Sequence, residues 1–178
     1  MDNIAMTPTK RKIISAYASL LNEKSKAKIT ITDIVHRAQI SRTTFYHYFS
    51  GLEDLNNECI NTAIDDINHI LNKNLLFNIP TLTEMLDYIK TNGCYFQSLK
   101  KHLPNFDESI TEYIKTTIRN SDISDLEKQL EEGYDIPEKF AFELFVLTVK
   151  TIIYKWMETN YHESSQEIAE TIHKAVQI

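Results

Sequence analysis

An all-α chain of about nine helices is the fold this sequence predicts, on three observations. The 178 residues include only three Gly and four Pro, too few to punctuate a many-turned β-structure. Apolar residues recur at three- and four-residue spacing along most of the chain. Cap residues stand where those stripes begin: Thr30 with Asp33, Ser41, Ser50 with Glu53, and Ser164 with Glu167.

The first helix begins at Pro8 or Thr9, where a missing N–H costs nothing. Ile13, Ile14, Tyr17, Leu20 and Leu21 form its apolar stripe. Lys10, Arg11 and Lys12 occupy its first turns. That is the positive end of the helix dipole, so a nearby anion is expected. After a polar connection at 23–28, Thr30 caps a short helix ending at Ala38, and Ser41 caps another from Arg42 to Phe49. A long helix follows from Leu52 to about residue 74, with Leu55, Cys59, Ala63, Ile67 and Ile70 in its stripe. Asn78-Ile79-Pro80 reads as a break. Thr81 or Thr83 then opens one helix reaching Leu99, with Gly93 inside it.

Asn105 or Phe106 leads the next helix, which holds Ile110, Tyr113, Ile114 and Ile118. Ser121 or Asp122 caps a shorter one that ends near Gly133. Pro137 starts a helix to Met157 that is apolar around most of its circumference and needs cover on more than one side. Ser164 and Glu167 box the last helix, which runs to about Val176.

The Arg42–Phe49 helix has two contrasting sides. At about 100° per residue, Phe45, Tyr48 and Phe49 fall on one arc and Thr43, Tyr46 and His47 on the other. Arg42 and Thr44 sit at the borders. Joined to the preceding helix through Ala38-Gln39-Ile40-Ser41, it completes a helix-turn-helix pattern. Its polar arc offers a guanidinium, hydroxyls and an imidazole to base edges and phosphates. It carries no carboxylate, which phosphate would repel.

Charge divides along the chain. Residues 1–52 carry a net +5 and residues 53–178 a net −11, within a total of −6. A small basic head suits a polyanion and the acidic body does not. No apolar run approaches the roughly 18–20 residues that span a bilayer, and no secretory signal is visible, so no membrane role and a cytoplasmic location are expected. Cys59 and Cys94 do not form a framework and are expected to be reduced and buried. The six His lack ligand spacing, so no metal and no cofactor are expected. No nucleophile–base pair or phosphate loop is visible, and an enzyme is not expected.

The order Thr-x-x-Asp-Ile, then Ala-x-Ile-Ser-Arg-x-Thr-Phe-Tyr-x-Tyr-Phe, then Glu-Asp-Leu resembles the DNA-binding domain of the TetR family of transcriptional regulators, over about residues 9–56. Two positions depart from the usual pattern. Gln39 stands where the turn normally carries Gly, and Leu52 where a phosphate-contacting Lys is usual. Residues 137–176 are also similar to the C-terminal domain of TetR-like regulators from low-GC Gram-positive bacteria. The Ile153-Tyr154-Lys155-Trp156-Met157 stretch and Ser164-Ser165-Gln166-Glu167-Ile168-Ala169 carry that likeness.

The resemblance implies a helix-turn-helix domain at 1–55 and a helical-bundle effector-binding and dimerisation domain at 56–178. It implies a homodimer on palindromic double-stranded DNA, usually as a repressor, released by a small-molecule effector or switched by a protein partner. Arg42, Thr43, Thr44 and His47 are the expected base contacts, and Thr30, Tyr46, Lys10 and Arg11 the expected phosphate contacts. Tyr88, Tyr95, Phe96, Phe106, Tyr113 and Phe142 are candidates to line an effector pocket. Phe145, Val149, Ile152, Trp156, Ile168 and Ile172 are candidates for the dimer interface.

Overall fold

The computed structural model describes residues 6–71, 78–120 and 126–176. Among them the regular structure is ten α-helices and one short 3-10 turn, Lys26–Lys28. The helices are α1 Pro8–Glu23, α2 Ile31–Ala38, α3 Arg42–Tyr48, α4 Leu52–Leu71 and α5 Ile79–Thr91. They continue as α6 Gly93–His102, α7 Phe106–Arg119, α8 Leu126–Tyr134, α9 Glu138–Glu158 and α10 Ser165–Ala175. Among the described residues no helix is long and apolar enough to cross a membrane.

Several starts follow the expected caps. Thr7 accepts from the Lys10 N–H and Pro8 occupies the first turn of α1. Ser164 and Glu167 form a reciprocal capping box on α10. Elsewhere the caps differ. The Ser50 N–H donates to the Asp54 carboxylate at 2.8 Å, so Asp54 rather than Glu53 is the partner one turn into α4. Asn78 accepts from the Thr81 N–H at 2.9 Å, with Pro80 in the first turn of α5. The Asn-Ile-Pro stretch therefore starts a helix.

The helix expected over 81–99 is two helices. The Asn92 N–H and side-chain amide both donate to the Tyr88 carbonyl, at 3.1 and 2.9 Å. This closes α5, and α6 begins at Gly93, which accounts for ten helices against about nine. α8 runs through Gly133, and the left-handed residue after it is Asp135, φ 53°. The expected cap at Ser121 or Asp122 and the end of α4 near 74 lie outside the described residues.

The chain forms two compact units. One joins Met1–Ala63 to Cys94–Phe106, and the other joins Ile64–Gly93 to Asp107–Ile178. The first is built on fully buried Ile13, Tyr17, Leu21, Ile34, Phe45, Phe49, Leu55 and Cys59. The Tyr17 hydroxyl donates to Asn56 Oδ1 at 2.6 Å, and burial pushes its pKa up to about 12. α6 closes this unit with buried Phe96, Leu99 and Leu103. Ser98 Oγ donates to Asn22 Oδ1, and the Tyr95 hydroxyl donates to the Cys59 carbonyl at 2.7 Å. Burial pushes the Cys59 thiol far above its ordinary value, so it stays protonated and packs as a small hydrophobe. Cys94 is exposed, not buried as expected.

In the second unit α5 packs on α10 and α8 on α9. Ile118, Leu130, Ala141, Phe142, Phe145 and Val146 form one buried cluster there. The α9–α10 connection turns through Asn160 and Tyr161, φ 55° and 57°. Trp156 Nε1 donates to the Glu163 carbonyl at 3.0 Å, and its ring meets the Tyr161 ring edge-on, centroids 5.0 Å apart. The Tyr161 hydroxyl donates to the Gly93 carbonyl at 3.2 Å. A Cβ on Gly93 would lie 2.6 Å from Tyr161 Cε2. That ring is buried and held on two sides, so it has little room to give. Gly93→Ala is expected to destabilise by about 1–3 kcal/mol through overpacking. The urea midpoint should fall with little change in slope, and an unchanged midpoint contradicts the close approach.

Candidate nucleic-acid interface

The site is built from the first turn of α2 upward. Thr30 Oγ1 accepts from the Asp33 N–H at 3.2 Å, and the Thr30 N–H donates back to Asp33 Oδ2 at 2.8 Å. The Lys24 ammonium at 2.8 Å, helped by Thr30, holds the Asp33 carboxyl well below the usual carboxylate range. The carboxylate nearest the α2 N-terminus is thus matched within the head. α2 ends at Gln39, which adopts the left-handed conformation, φ 54° and ψ 49°. The Ile40 N–H then donates to the Val35 carbonyl at 3.0 Å, closing the helix before the turn.

Ser41 caps α3 by accepting from the Thr44 N–H at 3.0 Å. Phe45 and Phe49 are fully buried, with ring centroids 5.7 Å apart. Tyr48 is half-buried and its hydroxyl accepts from Thr7 Oγ1 at 3.2 Å, which ties the start of α1 to the end of α3. The opposite side is open: Arg42, Thr43 and His47 are exposed, and Tyr46 is 56% exposed. The two-sided helix of the sequence reading is the one observed.

The expected contact residues differ in how they stand. Arg42 Nη2 donates to Thr32 Oγ1 at 2.5 Å, so the guanidinium links the N-terminal turns of α3 and α2. Thr32, exposed beside it, was missed by the sequence reading. Its position two residues after the Thr30 cap was the available signal. Thr44 is half-buried and its hydroxyl lies 2.8 Å from that of Ser41, leaving its methyl for an apolar contact. Thr30 is exposed, with its hydroxyl engaged in the α2 cap. Arg11 is exposed on α1. Lys10 departs from expectation: it is 4% exposed and its ammonium lies 2.7 Å from Glu58. A buried, ion-paired ammonium is not placed to reach phosphate, because leaving Glu58 would cost more than an exposed contact returns.

The effector candidates divide between the units. Tyr95, Phe96 and Phe106 belong to the first, and Tyr88, Tyr113 and Phe142 to the second. In the second, the Tyr88 hydroxyl donates to Asp66 at 2.5 Å, and the Tyr113 hydroxyl donates to Asn68 at 3.3 Å. Burial raises the Tyr113 pKa. Phe142 lies in the buried α8–α9 cluster.

Most of the interface candidates are inside their own unit. Phe145, Trp156, Ile168 and Ile172 are buried, and Val149 and Ile152 are half-buried. The side of α9 left open carries Phe140, Leu144 and Leu147, which are 56%, 44% and 45% exposed. Their spacing makes one stripe. Sequence reasoning missed these three because α9 is apolar all round, and periodicity alone does not say which side meets its own core.

Among the described residues no group of three or more His, Cys, Asp or Glu is arranged to hold a metal ion. The fold and the open side of α3 define a helix-turn-helix DNA-binding protein. Comparison with known proteins agrees. Residues 13–59 match the family model described as bacterial regulatory proteins, tetR family, and residues 79–177 match a transcriptional regulator C-terminal region. The chain belongs to the TetR family of DNA-binding transcriptional regulators.

Solved structures share the fold. The dihydroxyacetone kinase operon activator DhaS is 21% identical with a TM-score of 0.69, covering 94% of this chain and 93% of its own. A TetR transcriptional regulator from Streptococcus agalactiae 2603V is 21% identical with a TM-score of 0.68, over 96% and 94%. A TerR/AcrR-family regulator from Aquifex aeolicus VF5 is 18% identical with a TM-score of 0.65, over 94% and 97%. No curated protein sequence matches.

The turn itself generates a prediction. A side chain in the left-handed conformation at position 39 costs roughly 1 kcal/mol, which glycine avoids. Gln39→Gly is expected to raise the melting temperature, and a drop in thermal unfolding would show that the Gln39 side chain offsets its own strain.

Proposed function

We propose that the chain acts as a homodimer whose two α3 helices read the halves of a palindromic operator. The half-sites would lie one turn apart, roughly 34–36 Å, or a multiple of it. The head at 1–55 binds the duplex, and the body at 56–178 dimerises and takes the effector. The observation that carries this reading is the two-sidedness of α3: Phe45 and Phe49 are buried while Arg42, Thr43, Tyr46 and His47 are open. Arg42, Thr43 and His47 meet base edges, with Arg42 held ready by Thr32, and Thr44 offers its methyl to thymine. Tyr46, Thr30 and Arg11 meet phosphate.

Dimerisation uses the open stripe of α9, Phe140, Leu144 and Leu147, in a four-helix interface of α9 and α10 from two copies. The effector binds the helical body of the second unit, where Tyr88 and Tyr113 supply polar handles beside Phe142. It must bind the arrangement unfit for DNA better than the fit one, and that difference in affinity releases the operator. Occupying the operator blocks transcription, so the reading is a repressor.

Selection of bound duplexes from a random pool tests the core of this reading, and a two-fold symmetric consensus is expected. Arg42→Ala should relax preference at one base pair in each half-site, a discrimination of about 1–3 kcal/mol. Tyr46→Phe should weaken all sequences alike. Equal losses on operator and random duplex for Arg42→Ala contradict base reading. Leu144→Glu with Leu147→Glu should give a folded monomer by sedimentation, with operator affinity reduced more than about tenfold. A dimer that survives both substitutions places the interface elsewhere.

A further inference from the structure

Between α1 and the α2–α3 turn lies an open groove of about 540 Å³, lined by Pro8, Arg11, Lys12, Ser15, Ala16, Ser19, Arg37, Ala38 and Gln39. None of the nine carries a carboxylate. Three carry positive charge, three offer hydroxyl or amide groups, and Pro8, Ala16 and Ala38 supply a small apolar floor.

The cations differ in how they are matched. Arg37 is clasped by Glu23, with Nη1 and Nη2 donating at 2.8 and 2.6 Å, and Nη1 also donates to Ser19 Oγ at 2.7 Å. That pair is a fixed wall. Lys10 on the same helix is matched by Glu58, and its side chain is turned inside. Arg11 and Lys12 are exposed and line the groove. They sit at the positive end of α1, whose first turn holds no acidic residue. Two neighbouring cations at a helix N-terminus oppose the dipole and each other, a cost that a bound anion removes. Gln39 supplies a separate observation. It occupies a left-handed turn position that favours glycine, and its amide belongs to the groove wall. Strain of this kind, held at a wall of polar groups, marks a site.

We propose that this groove binds a small phosphomonoester. The phosphate would lie between Lys12, Arg11 and the Gln39 amide, with Ser15 and Ser19 as further donors. A compact apolar group would rest on Ala16, Ala38 and Pro8. The volume falls within the range of small-molecule sites, roughly 300–1,000 Å³. A concave groove of this size encloses a small anion, whereas a duplex backbone is met by side chains that project. The site is separate from the open side of α3 and does not depend on the operator-reading proposal.

Calorimetric titration of the full chain with phenyl phosphate, without DNA, tests the proposal. Inorganic phosphate and phenol serve as controls for charge alone and ring alone. Saturable binding of phenyl phosphate is expected, with phenol failing to bind. Lys12→Gln, a surface change on α1, should weaken binding about tenfold with unchanged thermal unfolding. Arg42→Ala, outside the groove, should bind phenyl phosphate as the parent does. Three results overturn the site: phenol binding as well as phenyl phosphate, Lys12→Gln retaining parental affinity, or no saturable heat up to roughly 10 mM. If Lys12→Gln weakens duplex binding while phenyl phosphate does not bind, the groove serves the DNA backbone. The proposal then fails while operator reading stands.

Discussion

The burial of Phe45 and Phe49 is the constraint on which the head depends. A helix of seven residues has no independent stability in water, since its nucleation cost is never recovered along so short a length. Its orientation comes from the two rings sunk into the first unit. Once they are fixed, the 100° step of the helix decides where Arg42, Thr43, Tyr46 and His47 must stand. The functional side is therefore a consequence of the buried one. Ser41 satisfies the first orphan amide, and Thr7 reaches Tyr48 at the far end, so both ends of the short rod are held.

Charge in the head is arranged with similar economy. Asp33, Glu23 and Glu58 are its conspicuous carboxylates, and each has a cation within 2.8 Å: Lys24, Arg37 and Lys10. Negative groups that would repel a polyanion are thus neutralised locally, while Arg11, Lys12 and Arg42 keep their places at the surface. The exposed pairs contribute little to stability. Their effect is on the field that an approaching phosphate meets.

What the sequence made legible follows from the range of the interactions involved. Caps at Thr30, Ser41 and Ser164 are contacts three residues long, and each is where local reasoning put it. The two sides of α3 follow from helical geometry alone. The features that escaped depend on distant partners. Lys10 looks like a surface cation until Glu58, far along the chain, reaches it. The break at Asn92 is set by a side chain turning back on Tyr88 and by the Tyr161 ring against Gly93. Which side of α9 faces its own cluster depended on α8, and periodicity carries no record of that.

The first unit is discontinuous: α6 joins it from some thirty residues beyond Ala63. Phe96, Leu99 and Leu103 supply part of its interior, and Ser98 holds Asn22 near the end of α1. A nascent chain that has emerged only to the end of α4 therefore lacks one wall of its head. During synthesis the reading helix acquires its settled mount only after residue 106 clears the ribosome, and an isolated fragment ending at 63 would present an oily cleft where α6 belongs.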